Sequence, residues 1–324
     1  MKVNNFVYYN PTKIYFGNEQ LVHLSEEVKK YGDKAALVYG GGSIKRTGLY
    51  DKIMKVLGDA EIQVSECAGI EPNPQYTSVN CAAKISRDNG CNVIIAVGGG
   101  SVIDAAKVVA QAHFYDGDCW DLVTKKVNES RALPLFAIPT MASAGSENDA
   151  WAVISNADMN EKLDPWHAGY QPTAAFIDPE ITYTVGRYQT AVGAVQDMAL
   201  HMTEYGIAAF YEISHGHGIA ILFPRWMQYI LNEETAPVFY HFGQEVFGIE
   251  NGLESMDGAQ RTIDALSDWL YNQMGLESKL SEFGVEEAKL HDMAVKATEN
   301  CGGVLHSLTK LTTEDVENIF RMCL

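Results

Sequence analysis

Basic residues are in short supply: 24 Lys and Arg stand against 42 Asp and Glu, a formal charge of −18. Such a chain repels phosphate backbones and anionic lipid, which argues against nucleic acid or a membrane surface as partner. Cysteine is sparse as well. The six (Cys67, Cys81, Cys91, Cys119, Cys301, Cys323) are scattered without a C-x-x-C pair, which excludes zinc knuckles and a disulfide framework and suits reduced cytoplasmic thiols. No segment offers the roughly 18 apolar residues of a membrane span, and MKVNNFVYYNPTK lacks the apolar stretch of a signal peptide. A soluble, cytoplasmic protein is expected. With 10 Pro and 28 Gly, no repeat and no biased tract, collagenous and low-complexity classes fall away. The common dinucleotide fingerprint G-x-G-x-x-G is also missing, because its third glycine would fall on Ile103.

What is present is an ordinary globular chain of 324 residues, 47% hydrophobic, long enough for two lobes. Over its first half, apolar runs alternate with helical periodicity. KIYF (Lys13 to Phe16), AALVY (Ala35 to Tyr39), IQVSE (Ile62 to Glu66) and NVIIAV (Asn92 to Val97) read as strands, with helical spacing between them. LPLFAIP, AWAVIS and TAAFID add further strands. Runs of this kind suit strands buried on both faces of a parallel sheet, the doubly wound α/β class. Beyond Asp178-Pro179 the strand signals fade and amphipathic stretches take over, for example Ile263, Leu266, Trp269 and Leu270. The expectation is an α/β domain over residues 1–186 and an all-helical domain over 187–324.

Two glycine runs follow strands. Gly98-Gly99-Gly100-Ser101 leads into the helix VIDAAKVVAQA, where free backbone N–H groups and the positive helix end can hold a pyrophosphate. Gly40-Gly41-Gly42-Ser43 is followed by Ile44, Lys45 and Arg46, with no acid among them. Acids at such a strand end receive a ribose 2′-hydroxyl and cations suit a 2′-phosphate, so this loop favours NADP(H) over NAD(H).

Of nine histidines, His201, His215 and His217 lie close to one another and to Asp197. Asp197 and His201, four apart, share a helix face and can ligate one metal. His201 and His215 are 14 apart, about 21 Å on a straight helix, so the chain has to turn between them, and Gly206 is the candidate break.

Taken together, these segments resemble the iron-containing alcohol dehydrogenases, in particular the NADPH-dependent butanol dehydrogenase and aldehyde reductase branch. The similarity runs through NPTKIYFG, YGGGSIKRTG, EPNP, VGGGSVIDAAK, IPTMASAGSE, DPEIT, SHGHGIAILFP and KLTTEDVENIF. It implies a Rossmann-like amino-terminal domain, a helical carboxy-terminal domain carrying a divalent metal, Fe²⁺ or Zn²⁺, and a homodimer or larger assembly. It also assigns residues. Gly98, Gly99, Gly100 and Ser101 become the pyrophosphate loop with Asp104 behind it. Gly40, Gly41, Gly42, Ser43 and Lys45 surround the adenosine ribose, Thr140 and Met141 line the phosphate and nicotinamide side, and Lys162 contacts the cofactor. Asp149 stands where the family often has Asn, an added negative charge expected to weaken binding.

The metal site departs further from the family, which uses an Asp and a His four apart and then two later histidines, the last in H-G-x-G. His215-Gly216-His217-Gly218 matches that last motif. Asp197 and His201 either form the first pair, or His201 is the third ligand and the segment bearing the first pair is deleted. In the second, preferred alignment Asp197, His201 and His215 make up the metal set, and Tyr205 takes the place of a relay histidine. The resemblance implies hydride transfer between NADP(H) and a small primary alcohol or aldehyde, with His201, His215 and Tyr205 at the chemistry. A non-catalytic or metal-impaired nucleotide-binding relative is the alternative.

Overall fold

The computed structural model describes residues 9–186, 201–299, 301–306 and 308–324. The chain divides into two units, Met1–Val185 and Gly186–Leu324.

In the first unit six parallel strands form one sheet: β1 (Lys13–Phe16), β2 (Lys34–Tyr39), β3 (Gln63–Cys67), β4 (Val93–Gly98), β5 (Leu135–Pro139) and β8 (Ala174–Ile177), in the order β1-β8-β5-β4-β2-β3. The central strands are apolar on both sides because both sides are covered; every residue of β4 is buried. One face packs Leu37, Val93 and Ile95 beneath α1 (Leu24–Lys29) and α3 (Leu49–Asp59), through Leu24, Val28, Ile53 and Leu57. The other packs Ala36, Val38, Ile94 and Ala96 against α4 (Tyr76–Asp88) and α5 (Gly100–Ala112). Short helices α2 (Ser43–Arg46) and α6 (Cys119–Val123) complete the unit.

Strand order places the functional loops. From β2 the chain crosses to β3 at the sheet edge, then returns to lay β4 on the other side of β2. The loops after β2 and β4 therefore leave neighbouring strand ends toward helices on opposite faces, and such a switch point opens the crevice in which α/β folds bind ligands. AWAVIS does not join this sheet. Only β6 (Ile154–Asn156) is extended there, and it pairs antiparallel with β7 (Glu161–Leu163) in a separate hairpin.

The second unit is built on α7 (His201–Ala208), α8 (His215–Ile230), α9 (Ala236–Phe247), α10 (Ser255–Ser267), α11 (Leu290–Glu299) and α12 (Thr313–Met322) around one apolar core. Pro224 sits inside α8 and cannot donate to the carbonyl of Ala220; the hydroxyl of Tyr271 does so at 2.9 Å. Helix is not all of this unit, since β9 (Val304–His306) and β10 (Lys310–Thr312) form a short antiparallel pair. Gly302 and Gly303, at φ 68° and 83°, turn the chain into it. Three-residue strands are too short to register as a period. Among the described residues no helix is long and apolar enough to cross a membrane.

Candidate active site

Three of the predicted loops meet at one end of the sheet. Register pairs Tyr39 with Val97 and Gly98 with Pro139, so β2, β4 and β5 end side by side. The amide of Thr140 donates to the carbonyl of Gly98 at 3.0 Å, and the sulfur of Met141 borders Gly99.

The glycines here are bare for different reasons. A Cβ on Gly98 would lie 2.6 Å from a Val102 methyl, so this glycine lets α5 pack tightly on its own strand. On Gly99 it would lie 3.1 Å from the Met141 sulfur. Gly42 has φ +89°, which other residues seldom adopt. Gly41 and Gly100 have no such reason. Neither has positive φ, a Cβ on Gly41 meets nothing within 4 Å, and one on Gly100 meets only Ser146 Cβ at 4.0 Å. What they leave open lies outside the protein, as expected where backbone must approach a ligand. No side chain caps α5, and an uncapped helix start has its first amides to offer a ligand.

Around the loop, Ser101 Oγ donates to the carbonyl of Pro72. Lys162, buried in β7, extends Nζ to 3.5 Å from Asn73 Oδ1. This places Lys162 beside the EPNP loop that Ser101 also touches. Behind them Asp104 accepts from Ser146 Oγ at 2.5 Å and from the amide of Val153 at 3.0 Å. Lys107, fully buried on α5, donates to Ser146 Oγ (2.9 Å), Asp149 Oδ1 (2.7 Å) and the carbonyl of Trp151 (2.6 Å). The charge of Asp149, expected to repel the cofactor, is thus offset by a cation 2.7 Å away. Lys107 escaped the motif reading, although a lysine in so apolar a helix was the visible signal.

The loop after β2 also differs from expectation. It contains no acid, yet β3 brings one: Glu66 Oε2 lies 2.9 Å from Lys45 Nζ. Tyr39 donates its hydroxyl to Glu66 Oε2 at 2.5 Å, and Tyr50 donates to Oε1 at 2.8 Å. Lys45 Nζ also lies over the Tyr50 and Tyr39 rings, at 4.5 and 5.1 Å from their centroids. The hydrogen bonds from Tyr39, Lys45 and Tyr50 hold the Glu66 carboxyl down at about 2, and the Lys45 ammonium is held above its usual range by its bonds to Tyr39 and Glu66. Lys45 and Glu66 are 21 positions apart, and only the parallel pairing of β2 with β3 brings them together.

In the second unit Glu204, fully buried on α7, is hydrogen-bonded to Nδ1 of His215, the first residue of α8. Gly218 makes room for this, since a Cβ there would fall 2.8 Å from Glu204 Cγ. A carboxylate on one ring nitrogen is the usual partner of a metal-ligating histidine, fixing its tautomer and the orientation of its ring. The Tyr205 ring lies 6.0 Å from that of His215. His217 turns elsewhere: fully buried, it bonds through Nε2 to the carbonyl of Glu277 at 3.0 Å and packs edge-on against Phe283. Gly206 is not the break between His201 and His215. It lies within α7, pressed against the Met293 carbonyl of α11, and the chain turns after Ala208 instead. Asp197 and the side chain of His201 lie outside the described residues. Among the described residues no three His, Cys, Asp or Glu side chains converge. His215 fits a metal by its donor chemistry, and completing a shell would fall to His201 and Asp197.

Comparison with known proteins agrees with this architecture. The family model "Iron-containing alcohol dehydrogenase" matches residues 11–179, and "Fe-containing alcohol dehydrogenase family, C-terminal" matches residues 180–324. The chain is 37% identical to NADH-dependent butanol dehydrogenase B of Clostridium acetobutylicum over 385 residues, covering 98% of this chain and 99% of the relative. An alignment longer than this chain means that the relative carries residues with no counterpart here. The NADPH-dependent aldehyde reductase YqhD of Escherichia coli is 37% identical over 205 residues, 62% of this chain and 52% of that protein. Among solved structures, NADH-dependent butanol dehydrogenase A of Thermotoga maritima superposes with a TM-score of 0.88 at 28% identity, covering 98% of each chain. With both units matched in order along its length, the chain belongs to the iron-containing alcohol dehydrogenase family.

Proposed function

We propose that this chain interconverts small primary alcohols and aldehydes with a nicotinamide dinucleotide. The observation that carries the reading is the pair Gly41 and Gly100, which flank the switch point and are bare without any internal need. When bound, the nicotinamide would exchange hydride with the carbonyl carbon while a divalent ion, Fe²⁺ or Zn²⁺, polarises the carbonyl oxygen. The chain's own residues do the rest. The α5 amides at Gly100 and Ser101 hold the pyrophosphate, Gly98 and Gly99 keep α5 and Met141 close, and Asp104 fixes the loop through Ser146. Gly40, Gly41, Gly42, Ser43 and Lys45 receive the adenosine ribose. Thr140, Met141 and Lys162 border the path toward the nicotinamide.

In the second unit Asp197, His201 and His215 would hold the ion, with Glu204 fixing His215, and Tyr205 would carry the proton in place of a histidine. We place the residues this chain lacks between residue 186 and His201, which shortens the helical domain over 187–324. Lys45 and Arg46 favour NADP(H) over NAD(H), an inclination that Glu66 restrains. The enzyme is read as cytoplasmic and as a homodimer or larger.

The alternative, a metal-impaired relative that only binds nucleotide, draws on the residues that the aligned butanol dehydrogenase carries and this chain lacks. One experiment separates the two: NADH and NADPH consumption with butyraldehyde, alongside metal analysis of the purified protein. Nucleotide binding without turnover at any Fe²⁺ or Zn²⁺ concentration would establish the alternative, and absence of nucleotide binding would overturn both.

A further inference from the structure

The cluster at the ends of β2 and β3 has more parts than a cation waiting for phosphate. Lys45 is already paired. Its partner Glu66 is fixed at both oxygens by phenols, Tyr39 on Oε2 and Tyr50 on Oε1, so the carboxylate cannot swing aside without losing both hydrogen bonds. Lys45 and Glu66 are each about half exposed, with side-chain exposures of 47% and 40%, so the pair is open to a ligand arriving at the loop.

A 2′-phosphate reaching Lys45 would have to compete with this carboxylate and then remain beside it. Like charges in contact are unfavourable, and a cation shared between two anions gives less to each. A free 2′-hydroxyl meets no such opposition, because a carboxylate is the acceptor it prefers. We propose that Glu66 sets the balance between NADH and NADPH in this chain, by holding Lys45 away from the 2′-phosphate and offering an acceptor to the 2′-hydroxyl. The inference rests on the dinucleotide reading of the preceding subsection and goes beyond it in naming the discriminating residue.

The test is equilibrium binding of NADH, NADPH, 5′-ADP and 2′,5′-ADP to the full chain and to Glu66→Gln. The amide keeps the size of the side chain and an oxygen for a phenol but loses the charge. NADPH and 2′,5′-ADP should bind about tenfold more tightly to Glu66→Gln than to the parent, the factor expected when one charge-assisted contact is released. NADH and 5′-ADP should bind no more tightly than to the parent, an asymmetry that a merely structural role would not produce. Adding Lys45→Ala to Glu66→Gln should erase the gain. If Glu66→Gln does not fold, Tyr50→Phe, which removes one phenol from the carboxylate, should shift the same ratio in the same direction by a smaller factor. An unchanged NADPH-to-NADH ratio in the folded variant, with both nucleotides still bound, would overturn the role of Glu66 and leave the dinucleotide reading intact. A parent chain that binds none of the four probes would overturn that reading, and this inference with it.

Discussion

Lys107 and Asp149 form an ion pair at 2.7 Å in which the lysine is fully buried and the aspartate lies at the rim, its side chain 40% exposed. It ties the 145–151 segment to α5 and sets a cation against the Asp149 charge at contact distance. Replacing Asp149 by Asn should therefore leave NADH and NADPH affinities within about threefold of the parent, since the carboxylate field is already offset at contact distance. Fluorescence titration measures this, and a tenfold gain in affinity would show that the nucleotide feels an uncompensated charge. Lys107→Met should cost about 2 kcal/mol or more in urea denaturation, because Ser146, Asp149 and the Trp151 carbonyl all lose their shared donor.

Gly41 and Gly100 provide the sharpest test of the nucleotide cradle. A valine Cβ meets nothing within 4 Å at Gly41 and only Ser146 Cβ, at an uncrowded 4.0 Å, at Gly100, so the melting temperature should stay close to the parent's. Dinucleotide binding should weaken more than tenfold, as a side chain then occupies space needed by the phosphates. Gly99→Val should also abolish binding, but with a loss of stability, because its Cβ crowds Met141. Folded Gly41→Val and Gly100→Val proteins that bind NADPH like the parent would reduce the loops to plain turns.

For the metal, protein purified without additions should hold well under one equivalent, with activity rising on Fe²⁺ or Zn²⁺. His215→Ala should remove that response while NADPH binding persists, the nucleotide loops being in the other unit. Glu204→Gln should weaken Zn²⁺ binding by about 10- to 100-fold in a chelator competition, the usual effect of losing the group that orients a ligating histidine. His217→Ala should leave metal content unchanged and lower stability, since that ring is committed to Glu277 and Phe283. Metal lost with His217 rather than His215 would reverse the assignment.

The Glu66 cluster should also leave a signature in acid. Its carboxyl drops from an ordinary 4.5 to about 2 in the folded chain, chiefly through the Tyr39 hydrogen bond. As pH falls below 4.5 the unfolded chain takes up the proton first, so the stabilisation is full above 4.5 and is lost on the way down to about 2. Exposure of the pair limits the amount to less than about 1 kcal/mol. Melting curves should show the parent ahead of Glu66→Gln at pH 6, with the gap closing between pH 4.5 and about 2; a constant gap would contradict it.

Much of this protein was legible from local pattern alone. Buried runs such as NVIIAV declare themselves because a strand covered on both faces has no polar side to show. The glycine runs mark the strand ends, and the segments from NPTKIYFG to KLTTEDVENIF carry the family. The short pairs β6–β7 and β9–β10 escaped because three residues hold no measurable period, and Gly206 misled because a glycine that breaks a helix and one that lets two helices touch look alike in sequence.

What only the tertiary structure decided is which charges meet. Lys45 stands alone in its loop until β3 lays Glu66 against it from 21 positions away, and Asp149 is an unwelcome charge until α5 supplies Lys107 from 42 positions away. His215 and His217 differ by two positions, yet one faces Glu204 and the other Glu277 and Phe283. Sequence fixes which groups are available, whereas ion pairing and hydrogen bonding act over a few ångströms of space, so their partners exist only once the strands have paired and the helices have packed.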